Sequence, residues 1–226
     1  MSRTFIRRLV ALGVCLLAAP VEAGPFSATL VDAQGAPLEH AVLSLQAETP
    51  AGAPAPAVLD QIDKQFVPYV LSVRRGSAVS FPNRDDIRHQ VYSFSEPKRF
   101  ELRLYQGTPS EPVVFDQPGV VVLGCNIHDW MLGYVYVTDD PWHAVSDAQG
   151  RVRFDDLPPG RYRVTLWHPQ SPAGQPQSAG ELAVTDAALD RRFTLDLASP
   201  PATPPAAPAS SPFADAFRSK SRAAQP

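Results

Sequence analysis

Gly124-Cys125-Asn126-Ile127-His128-Asp129-Trp130-Met131 is the stretch on which the reading of this chain turns. It sets a thiol, an imidazole and a thioether at intervals of three residues: Cys125, His128 and Met131. Thiolate and thioether favour Cu(I) while imidazole serves both Cu(I) and Cu(II), so the set suits a copper ion that changes oxidation state. A trigonal site of that kind needs two imidazoles beside the thiolate, with the thioether as a weak axial ligand. The octet supplies one imidazole, so a second has to come from elsewhere, and His89 is the candidate. Cys125 taken alone leaves two readings open, a metal ligand or a buried inert thiol.

Working outward, Val79-Ser80-Phe81-Pro82-Asn83 alternates apolar and polar residues, breaks at the polar run Arg84-Asp85-Asp86, and resumes in Val91-Tyr92-Ser93-Phe94. That pattern predicts two strands, with His89 at the start of the second. After the octet, Leu132-Gly133-Tyr134-Val135-Tyr136-Val137 predicts another strand. Upstream lie Phe66-Val67-Pro68 and Val73-Arg74-Arg75-Gly76-Ser77-Ala78-Val79.

Over about residues 57–139 these features together resemble the cupredoxins, the plastocyanin and amicyanin family of blue-copper electron carriers. Cys-x2-His-x2-Met is similar to the short ligand loop of amicyanin, and the Phe-Pro-Asn-Arg-Asp and Gly-Cys-Asn-Ile-His-Asp-Trp-Met wording is similar to periplasmic cupredoxin-like proteins called methylamine utilisation proteins. The resemblance implies a Greek-key β-sandwich over 57–140 and one type 1 copper held by His89, Cys125, His128 and Met131. It also implies single-electron transfer through the edge of His128, where Ile127 and Trp130 suit an apolar docking patch, between a redox donor and acceptor whose identity the sequence does not give. The alternative is a periplasmic copper-binding or delivery protein, or an accessory binding module, with the same ligands. A closed site of this type has no open position for substrate, so no enzyme is expected.

Residues 1–23 carry a basic start (Arg3, Arg7, Arg8), an apolar run from Leu9 to Ala19 and a small-residue exit at Val21-Glu22-Ala23, which describes a cleavable export signal and a periplasmic protein. The run is too short for a membrane span. Arg7-Arg8 lacks the rest of a twin-arginine motif, and Cys15 lies inside the apolar run behind Val14, a poor lipoprotein context. Removing residues 1–23 takes away three arginines and one glutamate, moving the net charge from −3 to −5, which argues against nucleic acid as a partner. It also leaves Cys125 as the one thiol, unable to form an internal disulfide in an oxidising compartment.

With 25 prolines and little helical periodicity, the chain is expected to be all-β. The words Asp-Ala-Gln-Gly occur twice, at 32–35 and 147–150, each as a tight turn between alternating strands. The first block, 24–47, resembles the opening hairpin, and the second, 141–198 with its Leu157-Pro158-Pro159-Gly160-Arg161-Tyr162 turn, the closing strands of a carboxypeptidase-regulatory-like (Cna B-type, transthyretin-like) β-sandwich. Neither has enough strands for a core of its own. The expectation is therefore a copper domain inserted into a small sandwich, with Ala28, Leu30, Ala41, Leu43 and Leu45 facing Val152, Phe154, Tyr162, Val164 and Leu166. Residues 48–56 are expected to be a linker and 199–226 a disordered Pro/Ala-rich tail.

Other polar residues attract blander readings. His40 is expected to be exposed, His143 and His168 to be surface or strand-end histidines, and Asp85, Asp86 and Asp129 to sit in solvated turns. Trp130 is open to two roles, a gate for electrons or a lid against water.

Overall fold

The computed structural model describes residues 24–47, 52–109, 111–200 and 202–205. The expected export signal at 1–23, part of the expected 48–56 linker and most of the expected tail lie outside the described residues. The fold is all-β: the only helical element among the described residues is one 3-10 turn, Pro172–Gly174. Among them, no helix is long and apolar enough to cross a membrane.

The chain opens with β1 (Gly24–Val31) and β2 (Val42–Gln46). It continues through β3 (Ala57–Val58), β4 (Asp60–Ile62), β5 (Gln65–Val67), β6 (Val70–Arg74), β7 (Ser77–Ser80), β8 (His89–Ser93), β9 (Phe100–Tyr105), β10 (Val113–Phe115), β11 (Gly119–Gly124) and β12 (Leu132–Thr138). It closes with β13 (Trp142–Val145), β14 (Arg151–Leu157), β15 (Gly160–Trp167), β16 (Gln177–Val184) and β17 (Leu189–Thr194).

Two strand systems result. In the middle of the chain, a five-stranded sheet ordered β6-β12-β11-β8-β9 faces a three-stranded sheet ordered β10-β7-β3, with the hairpin β4-β5 at the side. Alternation along each strand sends one row of side chains inward, and Val73, Val91, Val121, Leu123, Val135 and Val137 meet Val79 and Phe115 in one buried cluster. Phe81, Cys125 and Met131 belong to the same cluster.

The two ends of the chain form the second system. β1 pairs antiparallel with β14 and parallel with β17, while β2 lies between β13 and β15, which in turn pairs with β16. Ala28, Leu30, Ala41, Leu43, Leu45, Val152, Phe154, Tyr162, Val164 and Leu166 are all buried in one cluster together with Phe26 and Leu38. Each half alone would leave that apolar row and a strand edge in water.

The systems meet at a third cluster, where Val42 and Trp167 pack on Val70 and Tyr136. Ser44 Oγ–H donates to Asp140 Oδ2 at 2.5 Å across the same junction, and Ser72 Oγ and His143 Nδ1 pair at 2.7 Å. These positions revise the expectations for the outlying histidines. His40 is only partly exposed, with its ring edge-on to Tyr69 at 5.2 Å. His168 does stand at a strand end, but it is 3% exposed. Its Nε2–H donates to Glu39 O and its Nδ1 accepts from the Gln170 amide, both at 3.1 Å.

That satisfied neutral ring has a consequence in acid. Burial, opposed by the Glu39 hydrogen bond, pushes the His168 pKa down from 6.5 to about 4. The unfolded chain therefore takes up a proton that the folded protein refuses, and stability present above pH 6.5 is lost as pH falls toward 4. The loss from this residue is at most about 3 kcal/mol. Urea midpoints between neutral pH and pH 4.5 should fall more steeply for the parent than for His168→Gln. Equal slopes would remove His168 as a source of acid sensitivity.

Candidate metal centre

The sequence places the four expected donors at one end of the middle sheet. β11 ends at Gly124, the chain turns through residues 125–131, and β12 begins at Leu132 directly opposite Gly124. The turn is closed by the Met131 amide, which donates to His128 O at 2.9 Å. His89 opens β8, the strand next to β11. Its ring therefore reaches the loop from a neighbouring strand.

The donor atoms of His89, Cys125 and His128 all lie within 4.8 Å of one another, and all three residues are buried. Cys125 Sγ is 4.0 Å from His89 Nδ1 and 3.9 Å from His128 Nδ1. Two ligands sharing one ion, with bonds of about 2.0–2.1 Å to nitrogen and 2.3 Å to sulfur, would stand about 3.6–3.8 Å apart. The observed separations are slightly wider, a gap that small ring movements close on a shared ion, and they are long for direct hydrogen bonds. Met131 is buried against the same apolar residues as Cys125. Among the described residues this is the one cluster of three or more His, Cys, Asp and Glu donors with that spacing, and no carboxylate belongs to it.

The histidines are prepared differently. His89 Nε2 lies 2.6 Å from Asp85 Oδ2, so Nε2–H donates to the carboxylate and Nδ1 carries the lone pair facing the thiol. Asp85 also accepts the Asp63 and Lys64 amides at 2.7 and 2.9 Å. Burial opposes its ionisation, but the hydrogen bonds from His89, Lys64 and Asp63 outweigh burial and hold the carboxyl below the usual range. The His128 pKa is pushed down by burial first, with the neighbouring His89 and Lys64 adding to the fall against a weaker pull from Asp85. At neutral pH it is a free base, the form a metal ligand needs.

The surroundings exclude water on one side and thin out on the other. Tyr105 pairs with His89 across β8 and β9. Its hydroxyl donates to Phe81 O at 2.6 Å and accepts from Gln61 Nε2. Burial raises its pKa to about 12, with the Cys125 and Asp60 charges adding to the rise. On the outer side the Trp130 ring leans on His128 at 5.1 Å, His128 is 9% exposed, and Ile127 beside it is 48% exposed.

Asp86 and Asp129 are exposed, in line with solvated turns, whereas Asp85 is not a solvated turn residue. Its signal is an acid four residues before a candidate ligand histidine, which becomes meaningful only once Asn83 bends the segment: Asn83 Oδ1 accepts the Asp85 amide at 3.0 Å, and its Nδ2 donates to Ile87 O at 2.8 Å.

No protein-family model matches the chain, and no curated protein does. Solved structures do. The Cu-containing nitrite reductase (NirK) from Thermus scotoductus SA-01 is 24% identical with a TM-score of 0.35, over 42% of this chain and 25% of that one. The novel purple cupredoxin from Nitrosopumilus maritimus is 22% identical with a TM-score of 0.32, over 37% of this chain and 99% of that one. An oxidised mutant of amicyanin is 21% identical with a TM-score of 0.34, over 44% of this chain and 100% of its own. The neighbours are cupredoxins at low coverage. The chain spans about a quarter of the nitrite reductase.

Proposed function

We propose that the chain, exported to the periplasm with loss of residues 1–23, holds one type 1 copper ion and passes single electrons between a redox donor and an acceptor. His89 Nδ1, Cys125 Sγ and His128 Nδ1 are the equatorial ligands in this reading, and Met131 is the weak axial one. The observation that carries it is the thiol flanked by two ring nitrogens at 3.9 and 4.0 Å, buried, with no carboxylate in the group. Structural zinc takes a fourth Cys, His, Asp or Glu, whereas a thioether completes a copper set.

Bound there, the ion supplies a one-electron couple. The protein's part is to keep the donors where they are in both oxidation states. The loop is pinned between paired strands, His89 is pinned by Asp85, and Phe81, Val91 and Phe115 line the interior. His128 and Trp130 are the exit toward a partner, and Ile127 supplies exposed apolar surface beside them. The same proposal treats residues 57–140 as the copper module, set between the two parts, 24–47 and 141–198, of a Cna B-like sandwich that carries it.

The test is copper titration of the mature protein followed by visible absorption, where one equivalent should give an intense thiolate-to-copper band. Voltammetry should then move in opposite directions for Met131→Leu (upward) and Met131→Gln (downward, the amide oxygen favouring Cu(II)). A tenfold change in the preference for one oxidation state shifts a one-electron potential by about 59 mV. A colourless complex would sink the carrier reading, and both variants at the parent potential would remove Met131 from the site.

A further inference from the structure

One carboxylate joins the His89 ring to the backbone of a hairpin turn beside the donor cluster. Asp85 Oδ2 accepts the His89 ring proton and the Lys64 amide, at 2.6 and 2.9 Å, and Oδ1 accepts the Asp63 amide at 2.7 Å. Asp63 and Lys64 form the tip of the β4-β5 hairpin, and both sit in the left-handed region at φ 54° and 60°. Successive residues in that conformation turn their amides toward the same side, making a concave pair of donors suited to an anion. The carboxylate fills it. Asp85 is held at its own amide by Asn83, whose Nδ2 also donates to Tyr105 O at 3.0 Å.

We propose that Asp85 is the positioning residue of the metal centre, and that the Asp63–Lys64 turn holds it. The hairpin then sets the tautomer and aim of His89 through that one side chain. The inference rests on the copper reading for its effect on affinity, but its structural half concerns the metal-free protein. Asparagine at position 85 has one acceptor oxygen for three donors, so its NH2 must face an N–H group. Moving the turn removes the two amides that keep the carboxylate in place.

The experiment compares the parent with Asp85→Asn, Lys64→Pro and Lys64→Gly. Proline lacks the amide and cannot adopt φ near +60°, whereas glycine keeps both. The first readout is the ring 15N shifts of His89 in the metal-free proteins, and the second is Cu(II) affinity by competition with a chelator. The parent and Lys64→Gly should show the Nε2–H tautomer. Asp85→Asn and Lys64→Pro should lose that preference and bind copper about 10–100-fold more weakly.

An Nδ1–H tautomer in the parent, read without any variant, would overturn the proposal. So would parental shifts and affinity in both Asp85→Asn and Lys64→Pro. Parental values in Lys64→Pro alone would overturn the role of the hairpin. A parent with the expected tautomer but no copper binding would overturn the copper reading and leave the positioning role standing.

Discussion

Cys125→Ser should abolish the intense visible absorption expected of the copper-loaded protein while leaving the fold intact. The band requires a sulfur-to-copper transition, and serine offers a hard oxygen whose proton is not lost at neutral pH. The substitution is nearly isosteric. At 3% exposure, inside the apolar cluster of the middle sheets and with the nearest ring nitrogens 3.9 and 4.0 Å from Sγ, the new hydroxyl is left without a hydrogen-bond partner at normal distance. The stability loss should therefore be about 1–3 kcal/mol, less than the whole stability of a domain. Absorption spectra recorded beside thermal unfolding separate the two effects, and a Ser variant that keeps the colour would show that Cys125 is not the ligand.

The second large effect concerns a glycine. Gly150→Ala should cost about 2–5 kcal/mol, and Gly35→Ala about 1–2 kcal/mol. Both glycines close the same words, Asp-Ala-Gln-Gly, and both turns have the same hydrogen bonds. Asp32 Oδ1 accepts from the amides of Gln34 and Ala36, and Asp147 Oδ1 from those of Gln149 and Arg151. Both need positive φ, at 83° for Gly35 and 71° for Gly150, so alanine at either carries the left-handed penalty.

The surroundings make the difference. A Cβ on Gly35 meets nothing within 4 Å, while one on Gly150 runs into Leu30 O and comes within 3.1 Å of Leu38 N. Those atoms cannot give way cheaply, because Leu30 N donates to Gly150 O at 2.7 Å and Leu38 N to Leu30 O at 3.0 Å. Breaking that buried pair adds about 1–3 kcal/mol. Chemical denaturation of the two variants measures the gap, and equal losses would show that the contact between β1 and the second turn carries little weight.

Much of the candidate site was readable because its candidate donors are tied to strand boundaries. His89 opens β8, and Cys125 and Met131 flank the turn between β11 and β12, so residue type and alternation located them together. The hairpin β4-β5 gave no such sign. Its strands are three residues each, and its turn is Asp63-Lys64, where positive φ at both central positions usually selects Asn-Gly or Asp-Gly. Asp85 was read as a solvated turn residue because its partners, two amides 21 and 22 positions away, belong to that hairpin. β17 was also hidden: Asp190, Arg191 and Arg192 obscure its alternation, and its parallel pairing with β1 is a contact far along the chain.

Local chemistry written in the sequence determined the strand periodicity, the two Asp-Ala-Gln-Gly turns, the inward rows on β1, β2, β14 and β15, and the candidate donors. These depend on residues within a few positions of one another, where backbone sterics and side-chain alternation act directly. Only the tertiary structure decided which of two identical turns is intolerant of a methyl group. It likewise decided that His168 is buried against Glu39, that one carboxylate orients His89, and that Val42 and Trp167 lock the two strand systems together through Val70 and Tyr136. Each of these depends on how sheets pack and on distances between residues remote in sequence, which no local pattern encodes.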